Sequence, residues 1–157
     1  MIIIKNGNLL EHDGKFIGHQ VNCQGVMGGG VAKQIKNKWY NVYESYSSLC
    51  KNTQTSLLGK SQYLITDDDK VIFNLFGQDF YGTDKRYTDY DALSDAVCEA
   101  LGYVKFYNIA RNKHEPLALP YLIGCGLAGG DWYVVKKILE DLSYTFNVDI
   151  ILYKLGE

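Results

Sequence analysis

The sequence predicts an α/β protein, a three-layer α/β/α sandwich around a mixed central sheet. Three observations predict it. Short apolar runs with strand character alternate along the chain with segments of helical period, the signature of a sheet covered on both faces. One pair of strand-like runs is separated by only a few polar residues, a hairpin, so the sheet is mixed rather than wholly parallel. No segment between them has linker composition, so residues 1–157 read as one domain.

Taken in order, residues 2–5 are a short apolar run that reads as a buried first strand, ending in the turn signal Asn6-Gly7-Asn8. Residues 16–22 form a second strand candidate that runs directly into glycines. Residues 31–38 carry Val31, Ala32, Ile35 and Trp39 on one helical face, and residues 40–51 continue as a second helix. Residues 63–66 and 71–75 flank Asp67-Asp68-Asp69-Lys70 as the hairpin, and residues 78–87 are polar, aromatic and loop-like. Residues 90–107 are the longest helical pattern, with an apolar stripe at Leu93, Ala96, Val97, Ala100, Leu101 and Val104. Residues 117–123 read as a strand broken by a second glycine run, residues 131–144 as a helix and residues 148–153 as the final strand.

Composition narrows the class. Hydrophobic residues at 46% and charged residues at 22% match a globular domain rather than a disordered one. No apolar run approaches the roughly 18 residues of a membrane span, and the first five residues lack the basic leader of a signal peptide, so a cytoplasmic monomer is expected. A net charge of −2 argues against a broad nucleic-acid surface but not against one small anion, which backbone amides hold without cations. The four cysteines (23, 50, 98, 125) and three histidines (12, 19, 114) have no metal-ligand spacing, so reduced thiols, no metal and no cofactor are expected.

One construction occurs twice. Residues 19–32 (HQVNCQGVMGGGVA) and 119–132 (LPYLIGCGLAGGDW) both run from a strand through glycines into a helix. Glycine lets the backbone approach a ligand closely, and a helix start offers unpaired N–H donors with a partial positive charge. Each junction is either a tight turn or an anion site, and two at the carboxyl ends of strands in one sheet suit a diphosphate across a crevice. The first lacks the Lys-Ser/Thr of a P-loop. The Gly124-x-Gly126 pair matches the dinucleotide fingerprint only in part, which leaves a nicotinamide-dependent dehydrogenase as a remote alternative.

At these residues the chain resembles the macrodomain family. Val21-Asn22-Cys23-Gln24 followed by Gly28-Gly29-Gly30-Val31-Ala32 is similar to the family's first loop, and Gly124–Gly130 to its phosphate-gripping loop. Gly7-Asn8-Leu9 resembles the early Gly-Asp-Ile, and residues 151–155 resemble a closing strand. His19, Asn22, Met27, Gly28 and Gly30 with Ile123-Gly-Cys-Gly-Leu127 resemble the branch of ADP-ribose-1″-phosphate phosphatases and terminal ADP-ribose glycohydrolases. The resemblance implies that Gly7, Asn8, Leu9, Tyr153 and Leu155 face adenine. Met27 and residues Gly28 to Ala32 would hold the diphosphate and distal ribose, with Gly124, Cys125, Gly126, Leu127, Ala128, Gly129 and Gly130 closing over the other side. Two departures matter. Asn8 stands in place of the family's Asp, so an amide oxygen must accept from the adenine amino group. The lysine and aspartate of the glycohydrolase members fall here at Gln78 and Ala128, neither of which can form a ribose adduct or take a proton.

The resemblance thus implies an ADP-ribose-1″-phosphate phosphatase working without metal or covalent nucleophile. The alternatives are a hydrolase that removes ADP-ribose from protein or nucleic acid, and a non-catalytic reader or sponge of such nucleotides. His19 has the pKa class for proton transfer to the leaving oxygen, or is a sheet-buried imidazole bonded for structure. Asn22 and Gln24 offer donors and acceptors to ribose hydroxyls or water, or brace a turn. Asp79 is a second acid/base candidate in a loop where Lys85 and Arg86 suit a phosphate. Asp131 is an N-cap that can also turn toward ligand hydroxyls.

Overall fold

The computed structural model describes residues 1–156. Six strands run β1 (Ile2–Asn6), β2 (Phe16–Val21), β3 (Ser61–Ile65), β4 (Val71–Phe76), β5 (Leu117–Pro120) and β6 (Ile150–Lys154), with helices α1 (Gly30–Lys38), α2 (Tyr40–Asn52), α3 (Tyr90–Arg111) and α4 (Trp132–Phe146). The sheet order is β1-β6-β5-β2-β4-β3. Every pairing is parallel except the β3–β4 hairpin, so the sheet is mixed as the Asp67–Lys70 turn implies.

Two apolar layers sandwich this sheet. Phe16, Phe73, Leu75, Leu117 and Leu119 on one face pack against the apolar stripe of α3 and against Val135 and Leu139 of α4. On the other face, Ile17 and Ile72 meet Ile35, Trp39 and Val42, while Val21 and Phe76 meet Tyr46 and Met27. Alternation along β2 assigns Phe16 and Gly18 to the first layer, and Ile17, His19 and Val21 to the second.

Two expectations change. β1 is an edge strand rather than a buried one: it pairs only with β6, and Ile4 is half exposed. β5 stops at Pro120, three residues short of the expected end. Proline has no N–H to extend a ladder, and Leu122 then takes a left-handed backbone (φ 62°) that turns the chain away. The β2–β5 ladder accordingly holds only two register pairs, Phe16 with Leu117 and Ile17 with Ala118. Beyond them the two strands separate at their carboxyl ends.

Gly18 sits at the fork. A Cβ there would lie 2.8 Å from Leu119 Cδ2 and 3.3 Å from Leu75 Cδ1, both fully buried. Gly18→Val is expected to lower unfolding stability by about 1–3 kcal/mol through overpacking, read from urea denaturation.

Candidate functional site

The separated ends of β2 and β5 open a cleft of about 700 Å³, within the usual range of small-molecule sites. Its walls are the two glycine loops: Gly28 to Ala32 on one side, Gly124, Gly126, Leu127 and Ala128 on the other. They face each other closely enough that a Cβ on Gly29 would lie 3.1 Å from Leu127 Cδ1. Gly29 caps α1 in extended conformation with no side-chain hydrogen bond, so the first amides of that helix are uncapped. In the second loop, Gly129 and Gly130 turn their amides back onto Gly126 and Gly124 carbonyls. The amides of Gly126, Leu127 and Ala128 donate to no backbone carbonyl among the described residues.

A second hollow of about 280 Å³ adjoins the first, sharing Val31, Pro120, Tyr121 and Leu122 with it. Asn8, Leu9, Tyr153 and Leu155 line it, so four of the five residues expected on the adenine side come together. Gly7 lies behind Tyr153. Asn8 Oδ1 already accepts from the Leu10 amide at 3.0 Å, capping a short 3₁₀ turn. Tyr153 is steadied from below by His12, whose Nδ1 lies 2.7 Å from its hydroxyl.

Among the described residues no Asp, Glu, Lys or Arg lines the larger cleft. Its one imidazole is His19, 1% exposed. Burial pushes the His19 pKa down to about 4, against a partly opposing hydrogen bond donated to Asn74, so the ring is neutral at pH 7. Nε2 lies 2.6 Å from Asn74 Oδ1, an acceptor, so Nε2 carries the proton. Nδ1 is a bare, buried acceptor without a partner among the described residues. A neutral ring of this kind takes up a proton; it does not begin with one to give from Nδ1.

Asn22 lines the cleft but its side chain is committed to the loop. Oδ1 accepts from the amides of Gln24 (2.9 Å) and Val26 (3.4 Å), Nδ2 donates to the Val26 carbonyl, and the buried Tyr46 hydroxyl lies 2.8 Å from Oδ1. Met27 is buried in the core behind this loop, and Gln24 reaches outward to Asp79. Asp79 itself is exposed and off the cleft; its carbonyl accepts from the Cys23 amide. Asp131 caps α4 through the Tyr133 amide and does not line the cleft. Lys85 and Arg86 lean on Tyr87 and Tyr90 rather than into the site. Neither thiol near the loops is a nucleophile: burial pushes Cys23 up to about 12 and Cys125 up to about 11.

Residues that spacing did not single out complete the walls. Gln20 Nε2 donates to Gln78 Oε1 (2.8 Å) and Thr88 Oγ1 (2.9 Å), while Thr88 donates to the Gly124 carbonyl and Gln78 to the Phe80 carbonyl. This net ties the end of β2 to the second glycine loop and to Phe80, just before the rim residues Tyr81, Gly82 and Thr83 that also line the cleft. Only the position of Gln20 beside His19, at the mouth of a strand, marked it beforehand.

The family model of the Macro domain matches residues 19–139. A DNA ADP-ribosyl glycohydrolase of Mycobacterium tuberculosis is 28% identical over 157 residues, covering 98% of this chain but 42% of that protein. The chain thus spans about two fifths of that relative. An ADP-ribose 1″-phosphate phosphatase of Candida glabrata is 33% identical over 172 residues, covering 90% of each. Among solved structures, the macrodomain of Mycobacterium tuberculosis DarG superposes with a TM-score of 0.76 at 26% identity, over 99% of both chains.

Two outcomes check this geometry. Tyr46→Phe removes a buried hydroxyl that braces the first loop, and urea denaturation is expected to show a loss of about 1–3 kcal/mol. His19 has its folded pKa below the unfolded value of 6.5, so its contribution to stability is complete above pH 6.5. That contribution falls away as pH drops toward about 4. Stability measured against pH is expected to decline across this window, and His19→Gln to flatten the decline.

Proposed function

The chain belongs to the macro domain family, and from that premise we propose that it binds ADP-ribose derivatives and hydrolyses ADP-ribose 1″-phosphate to ADP-ribose and inorganic phosphate. The observation that carries the reading is the cleft's chemistry: facing amide-rich loops, no charged side chain among the described residues, and one neutral imidazole with a bare nitrogen. Uncapped amides at a helix start hold a diphosphate without cations. The Asn8, Leu9, Tyr153 and Leu155 hollow takes the adenine end, which leaves the distal ribose and its phosphate toward His19.

Hydrolysis then needs one proton moved. As the water oxygen bonds to phosphorus, the bond from phosphorus to the sugar oxygen breaks. Once a shift of the lining uncovers the buried His19 Nδ1, the water proton passes to it and from there to the departing sugar oxygen, while loop amides stabilise the charge on the phosphoryl oxygens. Asn22 and Tyr46 act indirectly, by fixing the loop that presents the amides. Asp79 lies off this path, and its role is to pin that loop through its carbonyl.

Support also comes from the relatives. The phosphatase of Candida glabrata matches along nearly all of its length. In place of the lysine that the glycohydrolase resemblance requires, the cleft holds Gln78, locked between Gln20 and Phe80.

Purified protein is expected to release inorganic phosphate from ADP-ribose 1″-phosphate with a chelator present. His19→Ala is expected to slow release by about 10²–10⁴-fold while ADP-ribose affinity, read by calorimetry, stays within a few-fold. The kcat/KM profile is expected to stay flat near neutrality and fall only toward pH 4. Tight ADP-ribose binding with no phosphate release would make the chain a reader; release of free ADP-ribose from modified DNA or protein would make it a glycohydrolase.

A further inference from the structure

We propose that Asn74 and Gln62 are positioning residues that hold His19 in its Nε2–H tautomer, so that Nδ1 stays free to accept a proton. The inference rests on the reading of His19 as the base. Its geometry is a single register line across three strands. His19 of β2 is the partner of Asn74 of β4, and Asn74 is the partner of Gln62 of β3. All three side chains lie on the α1–α2 face, between the apolar cluster around Ile17 and Ile72 and the one around Val21 and Phe76.

The line has one consistent direction, and its far end sets it. Gln62 Nε2 lies 3.3 Å from the Ser45 carbonyl of α2, which can only accept. That fixes the Gln62 amide with Oε1 toward Asn74. Asn74 must therefore point its NH₂ at Gln62, and Nδ2 lies 3.0 Å from Oε1. Its Oδ1 is then left facing His19 Nε2 at 2.6 Å, so the imidazole must place its proton there. A backbone carbonyl on a helix outside the cleft thus determines which ring nitrogen is left without a partner. Neither Asn74 nor Gln62 lines the cleft, so neither touches a ligand in it.

An amide in this place differs from the carboxylate that orients many catalytic histidines. It accepts the same hydrogen bond but brings no negative charge to stabilise an imidazolium. Burial and the Asn74 bond are the influences on His19 titration, with no charged group among them. The bond orients the ring and raises its basicity only in part against burial, which still keeps it neutral.

The test is ¹⁵N NMR of histidine-labelled full-length protein at pH 7, with steady-state kinetics on ADP-ribose 1″-phosphate. Wild type is expected to show a protonated Nε2 and a bare Nδ1 at His19. Asn74→Leu removes the acceptor. Gln62→Leu, at a half-buried and more tolerant position, frees the Asn74 amide to turn over and present NH₂ to the ring. Both variants are expected to give averaged signals of mixed tautomers, with kcat lowered about two- to fivefold in step with the competent fraction and KM unchanged. A wild-type ring protonated on Nδ1, or variants that keep the wild-type NMR pattern, would overturn the proposal. The NMR readout needs no turnover, so it separates failure of this inference from failure of the phosphatase reading.

Discussion

Parallel pairing of β2 with β5 is the constraint on which the site depends. Two parallel neighbours deliver the segments that follow them to the same edge of the sheet, so both glycine loops must emerge side by side. Pairing alone would leave them in contact with no space between. The ladder ends after two register pairs because Pro120 has no amide to continue it, and Leu122 turns the chain aside. The crevice is the place where β2 and β5 have stopped bonding. Its walls are rich in free amides for the same reason: those amides lie beyond the last strand partner and before the first helical one.

A cleft built this way selects a kind of ligand. An anion held by amides pays no desolvation of a buried lysine or arginine, and the protein's own charge of −2 needs no local reversal. The same absence of charge governs His19. No charged group nearby favours the imidazolium, so burial outweighs the opposing Asn74 bond and the ring stays neutral. The loop-holding groups are neutral as well: Asn22, Gln20, Gln78, Thr88 and Tyr46 brace the two walls through hydrogen bonds rather than ion pairs.

Much of this was legible in the residues, and the remainder has a physical reason for being hidden. Helical period gave α1 through α4, and the turn at Asp67–Lys70 gave the antiparallel pair, because these are local signals. The facing of Gly28–Ala32 and Gly124–Ala128 followed from two strand–glycine–helix junctions at the ends of strands in one sheet. Local spacing cannot tell the front of a loop from its back. Hence Met27 fell behind the first loop, Cys125, Gly129 and Gly130 away from the cleft lining, and Asp131 on a cap. Edge and centre are also invisible locally, and the apolar run of β1 proved to be an edge. The partners of His19 and Gln20 lie 55 to 68 residues along the chain, where only the register of β2 on β4 and the packing of Thr88 reveal them.

The most consequential of those long-range partners sit on one strand. Residues 19 and 20 point to opposite faces of the sheet, yet both end in an acceptor without a partner among the described residues, His19 Nδ1 and Gln20 Oε1. Each is held that way by amide or hydroxyl groups anchored on backbone carbonyls: Ser45 behind His19, Gly124 and Phe80 behind Gln20. Leaving a buried acceptor unpaired costs about 1–3 kcal/mol, and a chain free to turn either side chain over would relieve it. The anchors forbid that relief. The amide loops thus present donors to the cleft, while the two unpaired acceptors stay buried beneath its lining, where their anchors hold them in one orientation.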